Sequence, residues 1–321
     1  MRIYRQLDEL AVPAAPVVAT IGNFDGVHMG HQGVIAEVIA RARFLGGQSL
    51  AITFDPHPTR VLRPEHAQPL ITPLPRKLEL LANTGIDATL VLPFTEALSR
   101  SSAREFATQV LVQAIHVTEV HEGANFRFGH HAEAGVTGPT GLQALGRELG
   151  FTVTLYAPRS LRGGPVSSSR IRALIAAGEV SQARALLGVP FAVDSTPVSG
   201  RGFGARYAVP TINLAPYPDL LPAQGVYITT LTIGSGPGVE TFQAVTNLGT
   251  RPTFGEASFA VESHLLDFHP IPLTGQTPLR LTFLRRLRAE VRFASPEALR
   301  EQIARDVART RRYFTLCGCP A

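Results

Sequence analysis

The stretch VVATIGNFDGVHMGHQ, residues 17–32, decides the fold of the N-terminal half of the chain. It begins as an apolar run typical of a buried strand and continues, after a turn, into an amphipathic helix that starts near Gly30. Two histidines, His28 and His31, flank that glycine. A helix start offers unpaired backbone N–H groups and the positive end of a dipole. With two imidazoles added, the pattern predicts a polyphosphate site rather than a metal site.

Strand-like and helix-like segments alternate through the first half. Strands are predicted at 16–22, 49–54, 87–94, 117–123 and 151–156, and helices at 30–47, 76–85, 102–115 and 140–150. Two short helices, at about 169–177 and 180–187, follow them. Alternation at this spacing predicts an α/β fold, a doubly wound parallel sheet over residues 1–188.

After residue 188 the pattern changes to short alternating strands separated by crowded turn residues. The strand signals lie at 226–233, 241–249, 258–268 and 279–288, with no helix signal between them. This pattern predicts an antiparallel β-barrel or sandwich over residues 189–321. Ser295 and Pro296 form an N-cap and first-turn pair that predicts a terminal helix.

The composition fits a globular protein with two cores. The chain has 321 residues, 45% of them hydrophobic, and no apolar run long enough to cross a membrane. The acidic residues of the opening MRIYRQLDEL argue against a secretory signal. We therefore expect a cytoplasmic protein without a membrane partner, in which Cys317 and Cys319 have no structural task.

The formal net charge is +5, and nearly all of the positive charge is arginine because Lys77 is the sole lysine. A Walker-type phosphate loop, G-x-x-x-x-G-K-[ST], is therefore absent. Groups that hold phosphate are expected to be arginine, histidine or backbone N–H. The basic balance also suits a nucleic-acid-binding protein, but scattered arginines and few aromatic residues lead us to expect no nucleic-acid partner.

The chemistry that suits His28 and His31 is nucleotidyl transfer. An incoming phosphate attacks the α-phosphorus of a nucleoside triphosphate, pyrophosphate leaves, and fixed donors stabilise the growing charge on oxygen. Gly30 allows close backbone approach at this point. The alternative interpretation is a turn with two solvated histidines.

Two further motifs follow strands of the first half. His57 lies between Pro56 and Pro58, which hold it rigidly at a strand end, where α/β sheets bind ligands. In GANFRFG, residues 123–129, aromatic residues alternate with Asn and Arg and can stack on a ring and bind an anion. The alternatives are a proline-rich turn and half-buried core aromatics.

The segment VSSSRIR, residues 166–172, places serines before a predicted helix. The serines can simply cap that helix. Arg172 in the first turn then opposes the helix dipole, a conflict that a bound anion would remove. We therefore expect Ser168, Ser169 and Arg172 to contact triphosphate.

The second half carries GRGFGARYAVPTINL, residues 200–214. Its glycines, Gly204 among them, permit a loop whose N–H groups face phosphate. Thr211 and Asn213 offer hard oxygen ligands two residues apart, a set that suits Mg²⁺ carried by ATP. Glu262, an isolated acid in a strand, can accept a proton from a substrate hydroxyl, although spacing alone favours an outward-facing surface residue.

GNFDGVHMGH, TFDPHP, GANFRFG and VSSSRIR occur in the order and spacing of the adenylyltransferase part of bacterial bifunctional riboflavin kinase/FAD synthetases, which the chain resembles over nearly its whole length. The resemblance implies FMN and ATP as substrates. It places His28 and His31 at the ATP phosphates and implies three further groups. These are a phosphate-binding group of Gly22, Asn23, Phe24, Asp25 and Gly30, a triphosphate-binding group of Ser168, Ser169 and Arg172, and a flavin-binding group of His57, Asn125, Phe126 and Phe128.

In the second half, PTIN resembles the PTAN signature of riboflavin kinases, and residues 247–254 and 262–268 resemble their following motifs. The resemblance implies that Thr211 and Asn213 hold Mg-ATP and that Glu262 activates the ribityl 5′-hydroxyl of riboflavin. The chain departs from the family where Ala205 and Ala208 replace an Arg and a Gly. These departures leave open an adenylyltransferase whose degenerate barrel only binds flavin.

Overall fold

The computed structural model describes residues 1–124, 126, 138–198, 211–251 and 258–318. These residues form two compact units, Met1–Ser168 and Ser169–Ala321. The first holds a parallel sheet with helices and the second an antiparallel sheet, so the predicted fold class is confirmed. Asn125, Phe128 and Gly204 lie outside the described residues.

The first unit is built on six parallel strands. They are β1 (Arg2–Tyr4), β2 (Val17–Ile21), β3 (Gln48–Asp55), β4 (Ala88–Pro93), β5 (Val117–Gly123) and β6 (Thr152–Tyr156). Their order in the sheet is β1-β4-β3-β2-β5-β6. All five residues of β2 are buried, which explains why its sequence, VVATI, is apolar at every position except Thr20 rather than alternating.

Helices cover both faces of this sheet. They are α1 (Met29–Phe44), α2 (Pro58–Leu62), α3 (Leu74–Ala82), α4 (Glu96–Arg100), α5 (Ala103–Phe106) and α6 (Gly138–Leu149). Successive residues of β2 face the two hydrophobic cores on opposite sides of the sheet. Val18 packs with Val38 and Ala42 of α1, whereas Ala19 belongs to the cluster that contains residues of α5 and α6. The sheet is therefore doubly wound, as predicted. A small hairpin, β7 (Ser160–Leu161) and β8 (Gly164–Pro165), follows β6.

The second unit contains a seven-stranded antiparallel sheet. Its elements are α7 (Ser168–Ala176), which begins at the last residue of the first unit, α8 (Val180–Leu187), β9 (Ala192–Ser195), β10 (Pro197–Val198), β11 (Thr211–Leu214), β12 (Gly225–Ile233), β13 (Glu240–Arg251), β14 (Ser258–Leu265), β15 (Leu279–Arg288) and α9 (Pro296–Cys317). The strand order is β10-β11-β14-β13-β12-β15-β9. The two outer strands are joined by the single residue Thr196, so the sheet must curl to bring its edges together.

Two elements differ from their predicted form. The predicted helix 102–115 is α-helical only in α5 and continues as a π-helix over Ala107–Ala114. The strand predicted at 258–268 ends at Leu265, because Asp267 adopts a left-handed backbone with φ 53°. Within the described residues, no helix is both long and apolar enough to cross a membrane.

The boundary between the compact units falls after Ser168, the first residue of α7, whereas the sequence places the domain boundary after α8, near residue 188. Contacts with the antiparallel sheet account for the grouping of these helices. Ser181 Oγ donates to the Leu284 carbonyl at 3.0 Å, and Arg286 Nη1 donates to the Ala177 carbonyl at 3.2 Å. The division into residues 1–188 and 189–321 concerns the two activities and stays a prediction.

Candidate active sites

The histidine turn, residues 22–31, lies at the carboxyl end of β2, where the strand order of the sheet reverses. The chain runs from β2 through α1 to β3 on one side, while β5 and β6 lie on the other side. Open α/β sheets bind ligands in the crevice outside such a switch point. The topology therefore places the turn where the sequence predicts a nucleotide site.

Glu122 on β5 shapes this crevice, and sequence reasoning did not single it out. Pairing between β2 and β5 ends at Ala19 and Val120. Beyond that point the buried Glu122 carboxyl accepts hydrogen bonds from the Ile21 amide and from Thr20 Oγ1. Burial raises the pKa of Glu122 well above its usual value. A side chain thus replaces the backbone partner where the two strands separate.

The backbone of the turn is tightly constrained. Phe24, Gly26 and Val27 have positive φ values of 47°, 86° and 39°, which are uncommon for residues with side chains. The buried Asp25 carboxylate accepts hydrogen bonds from the backbone amides of Ile71 and Thr72, at 3.0 and 2.9 Å. Asp25 therefore fastens the turn to the segment before α3.

The two histidines stack on each other at the start of α1. Their ring centroids are 3.6 Å apart at an interplanar angle of 14°. His28 is the N-cap, and its Nδ1 accepts from the His31 amide at 3.2 Å, so a neutral His28 carries its proton on Nε2. A Cβ on Gly30 would lie 3.2 Å from the His28 ring, which explains the need for glycine.

Both imidazoles are neutral at neutral pH. Burial lowers the pKa of His28 to about 4. Burial also lowers the pKa of His31 well below its usual value, with His28 and Lys77 acting in the same direction. His31 Nδ1 is buried without a hydrogen-bond partner among the described residues. The pair therefore offers N–H donors to an anion without the cost of desolvating two cations.

The structure brings Ser168 to the histidine turn. Its Oγ donates to the Asp25 carbonyl at 2.8 Å, across 143 positions of sequence. Asn23 is exposed, whereas Phe24 is buried with its ring at the edge of the His31 ring, 5.2 Å between centroids. Ser169 and Arg172 lie in α7 within the second unit, and their predicted contact with triphosphate stays a prediction.

The predicted flavin-binding residues are held in different ways. His57 caps α2, with its Nδ1 2.8 Å from Thr59 Oγ1, and so lies directly after β3 at the carboxyl edge of the sheet. Phe126 is half-buried and packs against the core under the sheet, in agreement with the alternative interpretation of a core aromatic. The predicted contacts of His57 and Phe126 with flavin stay predictions.

Lys77, which sequence reasoning left out of the site, is buried on α3 with 3% of its surface exposed. Its Nζ donates to Thr53 Oγ1 at 3.4 Å, and Thr53 Oγ1 donates in turn to the Asn23 carbonyl at 3.4 Å. The signal was available in the sequence, because Lys77 occupies an apolar-face position between Leu74 and Leu81.

The second candidate site is a row of polar side chains across three adjacent strands of the antiparallel sheet. Asn213 on β11 lies opposite Glu262 on β14, and Glu262 lies opposite Asn247 on β13. Residues directly opposite each other project from the same face, and Thr211 shares that face two positions from Asn213. The register thus brings the predicted magnesium ligands and the predicted base together.

This row lies on the less buried face of the sheet. Along β11, Ile212 and Leu214 are buried while Thr211 and Asn213 are half-buried, and Glu262 is half-buried between the buried Val261 and Ser263. The oxygen donors of Thr211, Asn213 and Glu262 are the hard ligands that Mg²⁺ prefers. The donor set therefore fits the predicted metal chemically.

A doubly wound sheet with a histidine pair at a helix start, followed by an antiparallel sheet with a carboxylate beside oxygen ligands, defines a two-part nucleotide-dependent transferase. The profile of the FAD synthetase family matches residues 12–170, and that of the riboflavin kinase family matches residues 187–314. The chain belongs to the bifunctional riboflavin kinase/FMN adenylyltransferase family. This confirms the predicted family and the predicted order of the two activities along the chain.

Individual relatives agree over nearly the full length. The bifunctional riboflavin kinase/FMN adenylyltransferase of Pseudomonas fluorescens is 36% identical, covering 97% of each chain. The Escherichia coli K12 protein of the same name is 32% identical over 98% of this chain and 99% of its own. A solved structure described as a macrolide-efflux protein from Streptococcus pneumoniae is 25% identical, with a TM-score of 0.84 over 96% of this chain and 98% of that chain. Efflux is a description of that protein, and the similarity of its structure supports the fold of this chain.

Proposed function

We propose that the histidine turn adenylylates FMN and that the row around Glu262 phosphorylates riboflavin, so that one chain makes FMN and then FAD with two molecules of ATP. The observation that carries the proposal is that each half assembles its own set of phosphate-handling groups. The stacked histidines lie at a sheet switch point, and the Asn213–Glu262 pair lies on a strand register.

In adenylyl transfer, an FMN phosphate oxygen attacks the α-phosphorus of ATP, a new P–O bond forms, and the bond to pyrophosphate breaks. No proton needs to be removed, because the FMN phosphate is already ionised at neutral pH. His28 and His31 donate hydrogen bonds to phosphate oxygens as charge builds on them. The N-terminal backbone of α1 and the dipole of that helix add to this stabilisation.

The other predicted contacts complete this pocket. Backbone groups of Gly22, Asn23, Phe24 and Gly30 face the triphosphate, while Asp25 acts by fastening the turn. Ser168, Ser169 and Arg172 bind the outer phosphates. His57, Asn125, Phe126 and Phe128 contact the flavin.

In riboflavin phosphorylation, Glu262 accepts the proton of the ribityl 5′-hydroxyl while that oxygen attacks the γ-phosphorus of ATP, and ADP leaves. Thr211 and Asn213 hold Mg²⁺, which neutralises phosphate charge when it is bound. Gly204 is proposed to contact the phosphates through its backbone N–H.

The proposed partners are riboflavin, FMN and ATP, without nucleic acid. The divalent ion, a cytoplasmic location and the assignment of the activities to residues 1–188 and 189–321 are part of this proposal.

The proposal is tested by incubating the purified chain with riboflavin, ATP and Mg²⁺ and separating the flavins by chromatography. FMN is expected first and FAD second, with release of ADP and pyrophosphate. FMN without FAD would contradict the role of the histidine turn. Formation of FAD only from added FMN would favour an adenylyltransferase whose degenerate barrel only binds flavin. The absence of both FMN and FAD would overturn the proposal.

A further inference from the structure

Lys77 is the sole lysine of the chain, and α3 places it inside the first unit. Only 3% of its surface is exposed. Holding an ammonium group in such a place costs several kcal/mol unless an opposite charge or several hydrogen bonds compensate. Buried charged groups without a structural partner are therefore candidates for functional sites.

The described residues provide little compensation. Nζ has one hydrogen-bond partner among them, Thr53 Oγ1, at 3.4 Å, which leaves two of its three N–H donors without a described partner. No carboxylate of the described residues forms an ion pair with it. Burial lowers the pKa of Lys77, while the more distant charges of Asp25 and Asp55 raise it. These two carboxylates favour the ammonium form and partly offset the effect of burial.

A purely structural role for Lys77 is poorly supported. The segment just before α3 is fastened to the histidine turn by Asp25, whose carboxylate accepts hydrogen bonds from the backbone amides of Ile71 and Thr72. The Thr72 hydroxyl adds a further tie by accepting from the Gly26 amide at 2.8 Å. These contacts fix the turn without a cation, and Lys77 is linked to the turn through Thr53 Oγ1.

The position of Nζ indicates what the cation faces. Thr53 lies near the carboxyl end of β3, two residues before Asp55 and the segment that carries His57. Thr53 also contacts the Asn23 carbonyl of the histidine turn. The charge of Lys77 reaches His31 as well, since it lowers the pKa of that ring. Lys77 thus lies between the proposed triphosphate groups and the proposed flavin-binding segment.

We propose that the Lys77 ammonium binds a phosphate oxygen at the point where FMN and ATP meet, and is a catalytic residue of adenylyl transfer. This rests on the proposed function of the histidine turn. It supplies a fixed positive charge that the neutral histidines lack. The phosphate is either that of FMN or part of the ATP triphosphate, and the two sources are separated by experiment.

A single lysine allows a direct spectroscopic test. Selective ¹⁵N labelling at lysine Nζ gives one side-chain NMR signal for the whole chain. A shift on saturation with FMN identifies the acceptor phosphate, and a shift on saturation with an ATP analogue that cannot release pyrophosphate identifies the triphosphate. A signal unchanged by either ligand would overturn the proposal.

Kinetics of Lys77→Met provide the second test. FAD formation from FMN and ATP should fall about 100-fold, the typical effect of one transition-state donor. Riboflavin phosphorylation by the same preparation should be unchanged. The melting temperature should not fall, because an apolar side chain replaces an unpaired buried charge. KM should rise for the same substrate, FMN or ATP, that shifts the lysine NMR signal.

Arg76→Met is the matched control, since Arg76 is the adjacent cation of α3 and pairs with Glu79 at 2.7 Å. It should leave FAD formation unchanged. Normal FAD formation by Lys77→Met would overturn the role of Lys77 but not the proposed function of the histidine turn. Loss of both activities with a lowered melting temperature would likewise overturn the role of Lys77. Failure of the unaltered chain to make FAD would instead overturn the proposed function.

Discussion

The two candidate sites are constructed on different principles. The histidine turn is irregular backbone at a sheet switch point, with three consecutive left-handed or capping positions near the start of α1. The row around Glu262 is regular antiparallel pairing in which Asn213, Glu262 and Asn247 stand opposite one another. The first site depends on buried tertiary contacts, and the second depends on strand register.

This difference affects how each site responds to change. The turn holds its groups through a buried carboxylate, a stacked ring pair and a glycine packed against the His28 ring, so small changes of shape should alter the proposed phosphate site. The row has half-buried side chains on a continuous ladder, so its geometry should survive replacement of a single side chain. In the second site, a substitution can therefore remove a chemical group with less change to the geometry of its neighbours than in the first site.

Replacing both histidines should give the largest effect. His28→Ala combined with His31→Ala removes two donors, and FAD formation should fall by about 1,000-fold or more. FMN should accumulate from riboflavin, because the antiparallel sheet does not use these residues. Chromatography of the flavins over time checks the prediction, and equal loss of both products would contradict the separation of the two sites.

Glu262→Gln should give the second-largest effect. The amide keeps the size of the side chain and the strand register but cannot accept the hydroxyl proton, so riboflavin phosphorylation should fall about 100-fold. Conversion of added FMN to FAD should be unaffected. Measuring ADP release with riboflavin and pyrophosphate release with FMN separates the two steps. Retained kinase activity would assign Glu262 to the surface, as spacing alone suggested.

The buried histidine should make stability depend on pH. The pKa of His28 is about 4 in the folded chain, against 6.5 for the unperturbed group. The unfolded chain therefore takes up the proton first, and the free energy of unfolding should fall by about 2 kcal/mol as pH drops from about 7 to about 5.

His28→Asn is the control for this loss, because asparagine is a good N-cap that does not titrate in this range. Urea unfolding at several pH values should show a smaller loss in the variant. An identical pH dependence in both proteins would show that His28 is not the group responsible.

Gly30→Ala should give the smallest effect. Its Cβ would lie 3.2 Å from the His28 ring and would displace the stacked pair by a few tenths of an ångström, so FAD formation should fall about tenfold. Gly33→Ala in the same helix is the control, since its Cβ would meet nothing within 4 Å. That variant should keep full activity, and comparison of initial rates is sufficient. Equal behaviour of the two variants would contradict the packing argument.

Much of this molecule follows from local sequence. The apolar run of β2, the histidines at the start of α1 and the alternation of strands and helices predict a doubly wound sheet and a phosphate site at the start of α1. The change to alternating strands after residue 188 likewise predicts the antiparallel half. These features are readable because periodicity and capping act within a few residues of one another.

Other features depend on contacts between distant segments, which periodicity does not record. The buried Glu122 between β2 and β5, the fastening of Asp25 to Ile71, and the hydrogen bond from Ser168 to the turn span up to 143 positions of sequence. The opposition of Asn213 and Glu262 is a matter of register, which only pairing decides. By itself the sequence determined the elements and the residue types available for phosphate chemistry. Tertiary structure decided which of them meet, and it placed the lone lysine among them, because burial and charge are properties of the assembled fold.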